Sequence, residues 1–132
     1  MSSVEETILN SSKVIAVVGL SSNPERPSNI AAGYLKDHDY TIIPVNPREY
    51  EVFGQKAYPD LNSVPGKVDV VQIFRKSEDV PPIVEDAIQI KAKAVWMQEG
   101  VINEEAAARA KDAGLMVVMD KCMKKEHEKL NA

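Results

Sequence analysis

Residues 14–28 combine residue types and spacing that could bind an anion. The apolar run Val14-Ile15-Ala16-Val17-Val18 ends at Gly19, and the polar segment after it contains Ser21, Ser22, Asn23, Arg26 and Ser28. A continuous apolar run is typical of a buried parallel strand, and a glycine lets the chain turn sharply at its end. A helix that begins near Ser28 would direct free N–H groups and the positive end of its dipole at this loop. The segment therefore predicts a site for a phosphate-bearing ligand.

The side chains of this loop support a phosphate site, although a complete dinucleotide motif is absent. Arg26 offers a rigid fork of donors that matches phosphate oxygens. A G-x-G-x-x-G motif would need further glycines in the segment where Ser21, Asn23 and Pro24 stand. The alternative interpretation is a plain strand–helix turn without a ligand.

A second group of candidate residues, Asn46, Pro47 and Arg48, follows the apolar run Thr41-Ile42-Ile43-Pro44-Val45. A nicotinamide-binding fold would carry an acid at this strand end to bond the ribose hydroxyls. Asn46 is neutral and Arg48 is cationic, which favours a ligand with an extra phosphate over NAD. The alternative for Arg48 is an ordinary solvated surface charge.

Three later strand ends add polar or special residues, namely Phe74-Arg75, Gln98-Glu99-Gly100 and Asp120-Lys121-Cys122. The sequence offers no Ser-His-Asp set, because His38 falls in a charged turn and His127 in the tail. His38 has no second histidine, cysteine or paired carboxylate at ligand spacing, so no metal site is predicted. These observations favour a binding role over a catalytic one.

The apolar patterns predict strands that alternate with helices along the chain. Strands are predicted over 14–19, 41–45, 68–74, 93–97 and 115–119, and residues 51–65 are predicted to be a loop that covers the sheet. Helices are predicted from Ser3, near Ser28, over 80–88, from Asn103 and in the tail. This alternation indicates a Rossmann-like, doubly wound α/β fold of five parallel strands with helices on both faces. We expect the strand order 3-2-1-4-5 and a switch point between strands one and four, at whose carboxyl edge all five polar segments converge.

The composition sets limits on the class of protein. With 132 residues and no internal repeat, the chain is expected to form a single domain over residues 1–132. A formal net charge of −4 argues against nucleic-acid binding, so an anion site must be local. No 18-residue apolar run predicts a membrane span. One cysteine cannot form an internal disulfide and suits a reducing cytoplasm.

The sequence resembles the small stand-alone CoA-binding proteins over about residues 13–128 and, more distantly, the CoA-binding domain of the succinyl-CoA synthetase α subunit. Five motifs in the same order carry the resemblance: Val-Val-Gly-Leu-Ser with Arg26-Pro27-Ser28, Pro44-Val45-Asn46-Pro47, Ile73-Phe74-Arg75, Val95-Trp96-Met97-Gln98-Glu99-Gly100 and Asp120-Lys121-Cys122-Met123-Lys124. The resemblance implies a Rossmann-like domain that binds coenzyme A or an acyl-CoA. The synthetase's phosphohistidine belongs to a second domain, so ligase activity does not carry over.

The resemblance also implies roles for individual segments. Ser21, Ser22, Asn23 and Arg26 match the loop that meets the CoA phosphates. Asn46, Pro47 and Arg48 match the segment near the adenosine, and Met97, Gln98 and Glu99 match the pantetheine side. For Cys122, which lies between Lys121 and Lys124, the hypotheses are a mixed disulfide with CoA or simple packing of a buried thiol.

Two other functions stay open at this point: an NAD(P)-dependent oxidoreductase, and a regulatory interaction module with a relic nucleotide site. The oxidoreductase would need the missing glycines and a substrate domain. A homodimer or an unidentified protein partner is compatible with either a binding or a regulatory role.

Overall fold

The computed structural model describes residues 3–131, which contain the five predicted strands, the five predicted helices and two further short strands. The strands are β1 (Val14–Val18), β2 (Thr41–Val45), β3 (Glu51–Val52), β4 (Gln55–Lys56), β5 (Val70–Ile73), β6 (Ala94–Met97) and β7 (Met116–Val118). The helices are α1 (Val4–Ser11), α2 (Pro27–Asp37), α3 (Val80–Gln89), α4 (Glu104–Asp112) and α5 (Met123–Leu130). Within residues 3–131, no helix has the length and apolar character needed to cross a membrane.

The helices begin where local capping signals predict them. The Ser3 side chain accepts a hydrogen bond from the Glu6 N–H at 3.1 Å, and the Asn103 side chain accepts one from the Ala106 N–H at 2.9 Å. Prolines stand in the first turn of α3, where a missing N–H removes no helical hydrogen bond. Cys122 is the N-cap residue of α5. The starts of α1 and α4 are therefore determined by neighbouring residues, whereas Cys122 makes no side-chain cap hydrogen bond.

Five strands form one parallel sheet in the order β2-β1-β5-β6-β7, with helices on both faces. One face packs against α1, α2 and α5, and the other packs against α3 and α4. Trp96 in β6 and Ile15 in β1 are completely buried. The predicted Rossmann-like α/β class is confirmed.

The position of one strand differs from the expected order. In chain order the five sheet strands read 2-1-3-4-5, because β5 pairs with β1 instead of lying outside β2. The chain between β2 and β5 places Leu61 and Val68 in the apolar cluster with α3 and α4, opposite the face that α2 covers. A right-handed crossover over that opposite face must lead back across β1. The switch point therefore lies between β1 and β5, and not between strands one and four.

Part of the segment predicted as a loop forms the β3–β4 hairpin. Its turn residues Phe53 and Gly54 have φ values of 57° and 73°, the left-handed region that a two-residue hairpin turn requires. The Phe53 ring lies 3.6 Å from the position that a Cβ atom on Gly33 of α2 would take. The hairpin thus depends on packing against α2, which the local sequence pattern does not reveal.

Asp69 holds the start of β5 beside the start of β1. One oxygen of its carboxylate accepts hydrogen bonds from the Lys13 and Val14 N–H groups, both at 2.9 Å. Lys93 Nζ lies 3.6 Å from the other oxygen. Burial acts to raise the pKa of Asp69, but the Val14 and Lys13 hydrogen bonds and the Lys93 charge together outweigh it and leave the pKa below its ordinary value.

We expect Asp69→Ala to lower the free energy of unfolding by about 2–3 kcal/mol, because two backbone N–H groups lose their acceptor. The lowered pKa means that the carboxylate contributes stability above the unfolded-state pKa of about 3.9, and that this is lost as pH falls through the folded-state pKa. Urea unfolding at neutral and acidic pH measures both effects. Asp112→Ala, at the exposed end of α4, is the control. A loss that is equal in both variants would contradict the role of Asp69.

Candidate functional site

A cleft of about 1110 Å³ opens at the carboxyl edge of the sheet, beside the switch point between β1 and β5. The segments that follow β1, β2, β5 and β6 line it, together with the start of α5. The predicted site residues in its lining are Gly19, Ser21, Arg26, Ser28, Asn46, Pro47, Arg48, Phe74, Arg75, Gln98, Glu99 and Cys122. The structure thus brings together residues from all the strand ends that the sequence pattern singled out.

Gly19 allows β1 and β5 to meet at the floor of the cleft. Its φ of +90° lies in the region that favours glycine, and a Cβ atom there would clash with the carbonyl oxygen of Phe74. The Gly19 N–H donates to the Val45 carbonyl at 2.8 Å. Gly19 therefore contacts backbone on both sides, and a side chain at this position would push the strand ends apart.

The loop after Gly19 is fixed to the first turn of α2. The Ser28 Oγ accepts a hydrogen bond from the Ser21 N–H at 3.0 Å, and Asn29 Nδ2 donates to the Ser21 carbonyl at 2.9 Å. Ser28 is 5% exposed, so its hydroxyl serves the loop as an internal support. The α2 helix begins at Pro27 without a side-chain cap. The loop is thereby held at the edge of the cleft in one conformation.

Asn46 connects the loop after β2 to the loop after β1. Its Nδ2 donates to the Leu20 carbonyl at 3.0 Å, and its Oδ1 accepts from the Arg48 N–H at 3.0 Å. A carboxylate in place of Asn46 could not donate the first of these hydrogen bonds. The neutral amide of Asn46 therefore stabilises the two loops, in addition to the role in ligand choice predicted from the sequence.

The cleft carries charges of both signs. Arg26, Arg48, Arg75 and Lys76 line it, as do Glu49, Asp79 and Glu99. Arg75 pairs with Asp79 at 3.5 Å, and Glu99 pairs with Lys125 at 2.9 Å. Among residues 3–131, the Arg26 and Arg48 guanidinium groups form neither an ion pair nor a hydrogen bond. Lys76 Nζ likewise forms neither in this part of the chain, so these three groups are the cations most available to an anionic ligand.

A buried pair of glutamines positions the far side of the cleft. Gln72 Nε2 donates to Gln98 Oε1 at 3.0 Å, and the same oxygen accepts from the Met123 N–H at 3.2 Å. The Trp96 ring N–H donates to the Lys121 carbonyl at 2.9 Å. Together these bonds fix the start of α5. Gln72 was not among the predicted site residues, although a glutamine within an apolar strand is a visible signal.

Four predicted residues lie outside the cleft lining. Met97 is completely buried in the core, and the Gly100 N–H donates to the Asp120 side chain at 2.7 Å. Ser22 and Asn23 are exposed on the loop after β1. The lining also includes residues that were not predicted to belong to the site, which are Pro27, Ala31, Glu49, Lys76, Asp79 and Val101. Glu49 and Lys76 directly follow the predicted residues Arg48 and Arg75, so proximity along the chain could have indicated them.

Cys122 is half-buried and lines the cleft. The neighbouring lysines form ion pairs elsewhere, Lys121 with Glu5 at 2.7 Å and Lys124 with Glu128 at 3.4 Å.

Neither histidine lines the cleft. His38 stacks on Tyr34 with a centroid distance of 4.0 Å, and His127 Nδ1 lies 2.8 Å from the Tyr34 hydroxyl, between α2 and α5.

The topology and the position of the cleft define a Rossmann-like α/β domain with its candidate site at the switch point. The chain belongs to the family described as the CoA binding domain, whose model matches residues 13–128. This membership confirms the family that the five sequence motifs indicated.

Comparisons with individual proteins agree with this assignment. Uncharacterized protein YneT of Bacillus subtilis is 43% identical over 120 residues, covering 91% of this chain and 89% of that protein. The ADP-forming acetate–CoA ligase I of Archaeoglobus fulgidus is 27% identical over 121 residues, but the match spans 18% of its length and 84% of this chain. A hypothetical protein from Pyrococcus horikoshii OT3 superimposes with a TM-score of 0.94 at 44% identity, covering 97% of this chain and 90% of that one.

Proposed function

We propose that the cleft at the carboxyl edge of the sheet binds coenzyme A or an acyl-CoA. The family and the similarity to ADP-forming CoA ligases support CoA binding in general. The cleft volume of about 1110 Å³ slightly exceeds the usual range for small-molecule sites, roughly 300–1,000 Å³, which suits a ligand as large as CoA.

The observation that carries the proposal is the pair of unpaired guanidinium groups, Arg26 and Arg48, in the lining of one cleft. In our proposal Arg26 binds the pyrophosphate and Arg48 binds the 3′-phosphate of the adenosine. Gln98, Glu99 and Cys122, on the opposite side, accommodate the pantetheine and its thiol. Met97 supports this side from the core.

We assign a binding role and no catalytic residue to this chain. The two histidines lie between α2 and α5, away from the cleft lining. A cytosolic setting would keep the free Cys122 thiol and the CoA thiol reduced. The mixed disulfide between them stays a prediction for oxidising conditions, with CoA disulfide as the reagent.

We expect CoA to bind more tightly than NAD, because Asn46 and Arg48 stand where an NAD site would carry an acid. Isothermal titration calorimetry with CoA, NAD and NADP measures the preference. Loss of the 3′-phosphate in dephospho-CoA should weaken binding to the wild type and have little effect on Arg48→Ala. Equal or reversed affinities for CoA and NAD would contradict the proposal. Tighter binding of NADP than of CoA would favour the oxidoreductase alternative.

A further inference from the structure

A carboxylate already occupies one backbone donor of the loop after β1. Glu49 Oε2 accepts a hydrogen bond from the Ser22 N–H at 2.8 Å. Glu49 belongs to the segment after β2 and lines the cleft, so this bond bridges two loops that are 27 residues apart in the chain. A negatively charged group thus binds the loop at the edge of a cleft that offers unpaired cations.

The Ser22 N–H differs from the other described donors of this loop. The N–H groups of Ser21, Asn23 and Glu25 are bound by side chains of residues 21–28, and the Arg26 N–H by the Asn23 carbonyl. Among these bound donors, Ser22 alone has its acceptor outside residues 21–28. That acceptor is an anion, which makes a short, charge-assisted bond with an N–H group.

We propose that Glu49 acts as an internal competitor of the ligand, whose carboxylate binds the Ser22 N–H at the edge of the cleft and yields it to a ligand phosphate. This inference rests on the proposed function and adds to it a residue that sets affinity. A phosphate oxygen and a carboxylate oxygen need the same donor, so only one can hold it. The Glu49 charge also opposes an anionic ligand at close range, in a cleft whose Arg26 and Arg48 attract it.

The test is the substitution Glu49→Gln, which keeps the size of the side chain and removes its charge. We expect affinity for CoA to rise about 3- to 30-fold, since the ligand no longer displaces a charge-assisted bond. The matched control is Glu51→Gln, an exposed residue of β3 that does not line the cleft. Its affinity should equal that of the wild type. An unchanged or lower affinity of Glu49→Gln would overturn the proposal, and a lower one would make Glu49 a group that supports the bound ligand.

Inorganic pyrophosphate, as a second probe, separates this inference from the proposed function. If Glu49→Gln binds pyrophosphate more tightly than the wild type does, and neither protein binds CoA, the competitor role of Glu49 is supported and the CoA site is rejected. Binding of both probes with no gain would reject the competitor and leave the CoA site standing. Binding of neither probe would reject both.

The Ser22 amide resonance tests the bond itself without any ligand. In Glu49→Gln this resonance should differ from its wild-type position, because a neutral amide replaces the carboxylate acceptor, and in Glu51→Gln it should stay in place. The same resonance position in the wild type and in Glu49→Gln would show that the bond is not formed in solution and would overturn the proposal.

Discussion

Replacing Gly19 with alanine should lower the free energy of unfolding by about 3 kcal/mol or more, from a strained left-handed backbone and a steric clash. A Cβ atom at this position would clash with the Phe74 carbonyl oxygen and lie 3.1 Å from Cδ of Arg75. Relief requires the ends of β1 and β5 to separate, which also disturbs the floor of the cleft. Urea unfolding measures the first effect, and CoA titration of the folded fraction measures the second.

Gly66→Ala is the matched control for this substitution. Gly66 has a φ of +82°, close to that of Gly19, but no heavy atom lies within 4 Å of the position its Cβ would take. The control therefore has the backbone strain without the clash. The difference in the free energy of unfolding between the two variants therefore measures the clash with Phe74. Equal losses of stability would show that the approach of β5 to Gly19 contributes nothing.

Arg26→Ala should weaken CoA binding about tenfold to a hundredfold, because a hydrogen bond to a charged group contributes roughly 1.5–3 kcal/mol. Stability should change little, since the Arg26 side chain forms no ion pair or hydrogen bond among the described residues. Calorimetry gives the affinity, and urea unfolding shows whether the fold is intact.

Arg109→Ala serves as the control for Arg26→Ala. It removes the same group from α4, where Arg109 pairs with Glu85 at 2.9 Å outside the cleft lining. Its CoA affinity should match that of the wild type. Arg26→Lys should recover part of the lost affinity, because lysine keeps the charge but lacks the planar fork. Unchanged affinity of a folded Arg26→Ala would place this residue outside the site.

These two substitutions test different levels of the same site. Gly19 determines how closely two strand ends approach, and Arg26 supplies a charge to the space that they enclose. Loss of binding in Gly19→Ala is therefore expected to accompany loss of stability, whereas in Arg26→Ala the two should separate. Loss of binding without loss of stability in Arg26→Ala would show that Arg26 acts directly on the ligand.

The local sequence determined the five strands of the parallel sheet, the helices and most of the cleft lining. Apolar runs, capping side chains such as Ser3 and Asn103, and the glycine after β1 act over a few residues, so their effects are predictable without knowing the partners. Parallel strands place their carboxyl ends on one edge, so residues as distant as Arg26 and Cys122 could be expected to line one site.

Only the tertiary structure decided which partners these elements have. The position of β5 depends on the face over which residues 46–69 cross, and the β3–β4 hairpin depends on packing against α2. Two hydrogen bonds, Gln72–Gln98 and Ser22–Glu49, join segments more than 20 residues apart. The complete burial of Met97 likewise needs several elements around one side chain. Such contacts form only when separate elements are brought together, and no pattern within one element specifies them.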